Sequence, residues 1–168
     1  LLLGIQNSMT ATAHALIGAS LAVKIANPYI GIPLAIASHF AADLVPHWDA
    51  GTNHKTKTKL RLKIEATLDV LLGFALVFLI FQSQVLANPI YLFSMIIAAQ
   101  LPDWIAAPAG MFKINIPPFS WMQTISHNLQ ARMQLPWGLV TQVVTVGMLV
   151  VYAIGGPNNI GTVFASSF

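Results

Sequence analysis

The chain has 168 residues, of which 56% are hydrophobic and 8% are charged, with a mean hydropathy of +0.71 and a formal net charge of +3. Because a soluble domain usually carries about 25% charged residues, this composition excludes an ordinary water-facing surface and predicts that much of the exterior faces lipid. The absence of cysteine excludes disulfides, thiolate zinc sites and a cysteine nucleophile.

The two ends of the chain differ from the rest. Residues 1–8 precede Met9 and lack the basic region and the small-residue cleavage site of a signal peptide, so we expect them to be an upstream extension. Residues 155–168 are rich in Gly, Asn and Ser and are expected to form a loose tail. The length predicts that residues 1–168 form a single membrane-embedded helical domain.

Apolar segments predict an all-α, polytopic membrane helical bundle with about five membrane segments. In chain order these are residues 11–26, 29–45, 60–81, 89–101 and 137–154. Several are shorter than the roughly 20 residues that span a bilayer, so tilt or local thinning is expected. Gly18 and its small neighbours predict close helix packing in the first segment. Residues 119–134 are mixed in polarity and predict one interfacial helix.

Basic residues are concentrated in the loop between the second and third segments. Five of the eight are Lys55, Lys57, Lys59, Arg61 and Lys63. The positive-inside rule places this loop in the cytoplasm. Such a stretch also suits contact with anionic lipid headgroups, and beside membrane helices it argues against a nucleic-acid partner. The sequence leaves the oligomeric state open.

Most of the acids and histidines fall at this same cytoplasmic face. They are His14, His39, Asp43, His47, Asp49, Asp69, Asp103 and His127. Ionisable groups in membrane segments cost roughly a few kcal/mol each, so they usually face the protein interior and have partners. A divalent cation would compensate several carboxylates at once. Nitrogen and carboxylate ligands favour zinc, with manganese or iron as alternatives.

The sharpest local pattern is residues 39–47, HFAADLVPH. The spacing of four places His39 and Asp43 on one face of a helix, and Pro46 is expected to end that helix and turn His47 toward the same point. Asp69 and Asp49 are candidates for a general base. The predicted metal ligands are His14, His39, Asp43, His47, Asp103 and His127.

This pattern resembles the HYxGD…QPxH motif of zinc-dependent phospholipase C and of P1-type nucleases, although the gap between the Asp and the second His is shorter here. That resemblance implies an all-α fold and zinc held by His and Asp. Over residues 10–138 the chain is also similar to bacterial inner-membrane proteins identified as predicted metal-dependent hydrolases. The matching features are the Thr-x-x-x-His start at Thr10 and His14, LVPHWD at residues 44–49 and LPD at residues 101–103. The Gly-His-Arg-Gly-x-Thr-His-Ser box of one branch is missing.

Three functions stay open from the sequence. The first is a metal-dependent hydrolase at the cytoplasmic membrane face, in which zinc generates hydroxide for attack on a phospholipid or other phosphodiester. The second is a non-catalytic metal-binding protein or, less favoured because the ligands crowd at one face, an ion carrier. The third is a structural subunit whose polar residues only hold the helices together.

Glu65 is expected to pair with Arg61, four residues earlier.

Overall fold

The computed structural model describes residues 9–49 and 57–155. In these two stretches the chain forms seven helices and no strand, which confirms the predicted all-α class. The helices are α1 (Ala11–Lys24), α2 (Pro28–Asp43), α3 (Lys59–Ile80), α4 (Gln82–Ala87), α5 (Pro89–Phe112), α6 (Phe119–Leu129) and α7 (Trp137–Gly155). The predicted extension 1–8, the predicted tail beyond Gly155, Lys55 and the side chain of Lys59 lie outside the described part.

The helix starts follow from capping residues that are visible in the sequence. Asn27, Thr58 and Asn88 precede α2, α3 and α5, and each side-chain oxygen accepts a hydrogen bond from a backbone N–H in the first turn, at 2.9–3.2 Å. Pro28 and Pro89 occupy the first helical positions, where the missing N–H costs no helical hydrogen bond. Local chemistry therefore sets where these helices begin.

The fourth predicted segment is longer than expected. It was predicted to end at residue 101, before Pro102, whereas α5 continues through Pro102 and Pro108 to Phe112. A proline removes one N–H donor from the helix, but α5 packs against α1, α2 and α6, and these contacts outweigh the local loss. Asp103 consequently lies inside a helix and not at its end.

Two helices among the described residues, α5 and α7, are long and apolar enough to cross a membrane. The exposed side of α7 is almost wholly apolar, with Val140, Val143, Met148, Val151 and Tyr152 among its exposed side chains. Helices α1 and α2 have only 14 and 16 residues. Length and composition thus support two of the five predicted membrane segments.

Helix α1 packs against α2, α3, α5 and α7 and so forms the centre of the bundle. It approaches α5 closely at Gly18, where an added Cβ would lie 2.7 Å from the carbonyl oxygen of Met95 and 3.0 Å from the Cβ of Ala99. This contact bears out the expectation of a small packing face in the first segment. The two helices that carry His14 and Asp103 are held together here.

Gly18→Val is expected to destabilise the fold by about 1–3 kcal/mol, because the new side chain meets backbone of α5 that cannot move aside cheaply. For a chain of this size, that corresponds to a fall in melting temperature of about 2–4 °C for each kcal/mol. Thermal unfolding in detergent measures the effect. Gly147→Val is the matched control, since nothing lies within 4 Å of a Cβ at Gly147. Equal melting temperatures for the two variants would contradict the close contact at Gly18.

Contacts between helix ends define two ends of the bundle. At one end, the Tyr91 hydroxyl donates to the carbonyl of Ile25, just after α1. At the other end, the Gln142 amide donates to the Thr10 hydroxyl and the Thr141 hydroxyl donates to the carbonyl of Pro46. The start of α1, the start of α7 and the chain after α2 therefore meet at this second end.

Candidate metal centre

Three predicted ligands, His14, His39 and Asp43, meet where α1 begins and α2 ends. In the described ranges they form the one group of three or more potential metal ligands, and each offers an atom within 4.8 Å of the others. His14 Nε2 lies 3.4 Å from Asp43 Oδ1, and His39 Nε2 lies 3.5 Å from Asp43 Oδ2. All three residues are fully buried.

Asp103 approaches this group from α5. Its Oδ1 atom lies 3.4 Å from His39 Nε2, and its side chain is 13% exposed. In a tetrahedral site with bonds of about 2.0–2.1 Å, neighbouring ligand atoms are about 3.3–3.4 Å apart. Each of these three nitrogen–oxygen pairs is therefore spaced as two ligands of one ion would be.

The orientation of His39 is typical of a metal ligand. Its Nδ1 donates a hydrogen bond to the carbonyl of Ala99 on α5 at 2.9 Å, and its Nε2 has no hydrogen-bond partner. In a neutral imidazole, a ring nitrogen that donates to a backbone carbonyl fixes the tautomer, and the other nitrogen then has a free lone pair. That lone pair is on the side of the ring that faces Asp43 and Asp103.

Asp43 is held in place on both its main chain and its side chain. Oδ1 accepts a hydrogen bond from the backbone N–H of Met9 at 2.6 Å, whereas Oδ2 has no hydrogen-bond partner. The carbonyl oxygen of Asp43 accepts from the N–H of Ala131 at 2.9 Å. Oδ2 is thus the oxygen available to a cation.

The charge of Asp43 has no Lys or Arg partner within the part of the chain that the structure describes. Its ionic neighbours within 4.0 Å are the two histidines, and no Lys or Arg is among them. A buried carboxylate without a cation costs several kcal/mol, and the buried imidazole nitrogens of His14 add the cost of unsatisfied polar groups. A divalent cation bound by these residues would remove both costs.

His47 resembles a metal ligand in its burial and its hydrogen bonding, but it lies outside this group. It is fully buried, its Nδ1 donates to the carbonyl of Val45 at 2.8 Å, and its Nε2 has no hydrogen-bond partner. Helix α2 ends at Asp43 and not at Pro46. The backbone of His47 instead pairs with the chain after α6, at Ala131 and Met133.

Two further predicted residues are not brought into the group. Asp49 is buried but lies apart from the three grouped residues. His127 is exposed on α6, and its Nδ1 lies 3.5 Å from the guanidinium of Arg132. The buried face of α6 carries Gln123 and Ser126.

Asp69, predicted as a candidate base, lies at the N terminus of α1. Its carboxylate accepts hydrogen bonds from the backbone N–H groups of Ala11 and Thr12, at 2.6 and 3.2 Å. An acid in an apolar helix thus has a backbone partner on another helix. The structure places it next to α1 and outside the grouped ligands.

Part of the predicted basic stretch lies beside the chain that follows α2 and carries His47 and Asp49. Arg61 and Lys57 each contact Glu65 at 2.7 Å, which confirms the expected Arg61–Glu65 pair. The Lys57 ammonium also lies 5.5 Å from the centre of the Trp48 ring. Positive charge therefore lies close to the chain that follows α2.

Two polar contacts of the centre have no signal in the sequence. They come from the carbonyl of Ala99 and the N–H of Met9, which every residue other than proline possesses. Only the packing of α5 and of the chain before α1 brings them to His39 and Asp43. A pattern of side chains could not have identified them.

Comparisons of the chain with protein-family models, curated proteins and solved structures find no match.

Proposed function

We propose that this protein is a membrane-bound metal-dependent hydrolase whose centre faces the cytoplasm at the bacterial inner membrane, with zinc as the metal and manganese or iron as alternatives. The observation that carries the proposal is the buried group of His14, His39 and Asp43, in which each residue offers a ligand atom within 4.8 Å of the others and the carboxylate has no Lys or Arg partner among the described residues. Nitrogen and carboxylate donors of this kind suit zinc.

The roles of the residues follow from their contacts. His14, His39 and Asp43 are the proposed protein ligands, and three protein ligands leave a coordination position for water, as in catalytic zinc sites. A bound zinc ion would lower the pKa of that water to about 7 and polarise the scissile bond. Asp103, whose side chain is the one with measurable exposure, is the proposed base that takes the proton of the water.

The proposed substrate is a phospholipid or another phosphodiester. Lys57 lies over the Trp48 ring, and Lys63 lies 5.5 Å from the centre of the Phe112 ring at the end of α5. Basic side chains at a cytoplasmic membrane surface attract anionic headgroups. They would raise the local concentration of an anionic lipid near the proposed centre.

The proposed membrane arrangement has five spans, in which α1, α2 and α3 join α5 and α7. Exposed apolar side chains on α2 and α3 support it, including Tyr29, Ile30, Leu34, Leu71, Leu72 and Leu79. Short helices reach across by local thinning of the bilayer. Lys24 is the one basic residue that this orientation places on the far side, and its ammonium lies 4.9 Å from the centre of the Tyr152 ring.

Metal content and chelator-sensitive turnover test this function together. The full chain, purified in detergent, is expected to retain zinc on elemental analysis and to hydrolyse at least one class of lipid phosphodiester. Turnover should disappear with a chelator and return with added zinc, because the ion supplies the nucleophile. Hydrolysis that persists after complete removal of the metal would contradict the proposal.

A non-catalytic metal site is the second candidate, and one observation favours it. His14, His39 and Asp43 are fully buried, and if Asp103 served as a fourth ligand, the shell would be closed as in structural zinc sites. Retained metal without turnover on any lipid phosphodiester would support this candidate. A chain that holds no metal would leave the polar group as a clamp between helices.

A further inference from the structure

The backbone N–H groups in the first turn of α1 have no carbonyl partner within the helix, as at every helix start. Thr10 caps the helix, and its hydroxyl accepts a hydrogen bond from the N–H of Ala13 at 3.3 Å. The N–H groups of Ala11 and Thr12 donate to the two carboxylate oxygens of Asp69, at 2.6 and 3.2 Å. A side chain on α3 thus completes the cap of α1.

A second contact fastens α3 to the same turn. The Thr12 hydroxyl donates to the carbonyl of Asp69 at 2.8 Å. One turn later, a Cβ at Gly73 would lie 3.0 Å from the Cα of Thr12 and 3.2 Å from the Cβ of Ala15. The two backbones are therefore in close contact, and the position of the α1 start depends on α3.

Electrostatics explain why an acid occupies this place. In the described residues Asp69 has no Lys or Arg within 4.0 Å. Its negative charge is stabilised instead by two charge-assisted hydrogen bonds at the positive end of the α1 dipole. An asparagine would keep the shape but lose the charge that this end of a helix favours.

His14 depends on this turn more than His39 does. His39 is held by its hydrogen bond to Ala99, whereas neither ring nitrogen of His14 has a hydrogen-bond partner. The backbone N–H of His14 makes the first bond of α1, to the carbonyl of Thr10 at 3.2 Å. The position of the His14 ring is therefore set by the α1 backbone, by stacking on His39 at 4.1 Å and by the contact of Nε2 with Asp43 at 3.4 Å.

We propose that Asp69 is a positioning residue of the metal centre, which holds the first turn of α1 so that His14 faces His39 and Asp43. This inference rests on the proposed metal site. It assigns Asp69 a role through the backbone of α1, in place of the general-base role expected from the sequence. Loss of its charge should make the position of His14 less fixed without removing any ligand.

Cobalt titration of the full chain in detergent tests this role, because the visible absorption of Co²⁺ reports the geometry of its ligands. Asp69→Asn is expected to weaken Co²⁺ binding by about 10–100-fold, the usual effect of losing a partner that orients a ligand, and to change the absorption bands. Glu65→Gln is the matched control, since it removes one negative charge from the same helix at a surface ion pair. It should leave affinity and spectrum as in the wild type.

The outcomes separate the two proposals. A folded Asp69→Asn variant with wild-type cobalt affinity and spectrum would overturn the positioning role and leave the metal centre standing. A wild-type chain that binds no cobalt would overturn both. If Asp69→Asn does not fold, Gly73→Ala probes the same contact, because the added methyl group presses on Thr12. A changed cobalt spectrum in that variant supports the role, and an unchanged one overturns it.

Discussion

His39→Ala is expected to abolish tight metal binding, with a loss of affinity beyond the roughly 100-fold that removal of an orienting partner costs. His39 contacts each of the other three residues of the centre. Its Nε2 lies 3.5 Å from Asp43 Oδ2 and 3.4 Å from Asp103 Oδ1, and its ring stacks on His14. Removing the imidazole takes away one ligand and also leaves His14 without its stacking partner.

Elemental analysis after dialysis and competition with a chelator of known affinity measure this loss. His127→Ala is the matched control, because it is the same substitution at an exposed histidine on α6 outside the grouped ligands. Circular dichroism establishes that both variants are folded. Wild-type metal content in folded His39→Ala would contradict the assigned site, and loss of metal in His127→Ala would contradict the placement of His127 outside it.

Asp103→Asn is expected to lower turnover by about 10²–10⁴-fold, the range for loss of a general base, while metal stays bound. The amide keeps the shape of the carboxylate but cannot take a proton from water. Asp103 is suited to this role because its side chain is partly exposed, while His14, His39 and Asp43 are fully buried. Steady-state turnover and metal content, measured on the same preparation, give the two quantities.

Asp49→Asn tests whether Asp49, which the sequence indicated as a candidate base, acts as the base in place of Asp103. Asp49 is buried and lies outside the grouped ligands, so Asp103→Asn should have the larger effect on turnover. The reverse order would return the base role to Asp49. Loss of metal together with turnover in Asp103→Asn would identify Asp103 as a ligand and favour the closed, non-catalytic site.

Interactions between residues close in the chain were predictable. The His39–Asp43 pair and the Arg61–Glu65 pair both follow from the spacing of four residues, which places side chains one helical turn apart. The starts of α2 and α5 follow from Asn and Pro at the capping positions. Each of these features depends on a few consecutive residues and on the geometry of one helix.

Features that depend on neighbouring helices were predicted less well. The end of α5 was expected at Pro102, but packing on α1, α2 and α6 stabilises it as far as Phe112. His47 was expected beside His39 because Pro46 would turn it back toward the same point, and His127 because it was expected at the same membrane face. Neither expectation specifies the direction in which a side chain points, and the structure leaves both histidines outside the group.

The sequence by itself determined the apolar composition, the all-α class, most helix starts and the local pair of His39 and Asp43. Tertiary structure decided the roles of the acids. Asp43, Asp69 and Asp103 are chemically identical side chains in apolar helices, yet one lies between two imidazoles, one caps α1 and one lies beside His39 with partial exposure. A carboxylate acquires its role from the N–H groups or imidazoles that packing places against it. Those groups belong to helices distant in the chain, so only the assembled bundle brings them together.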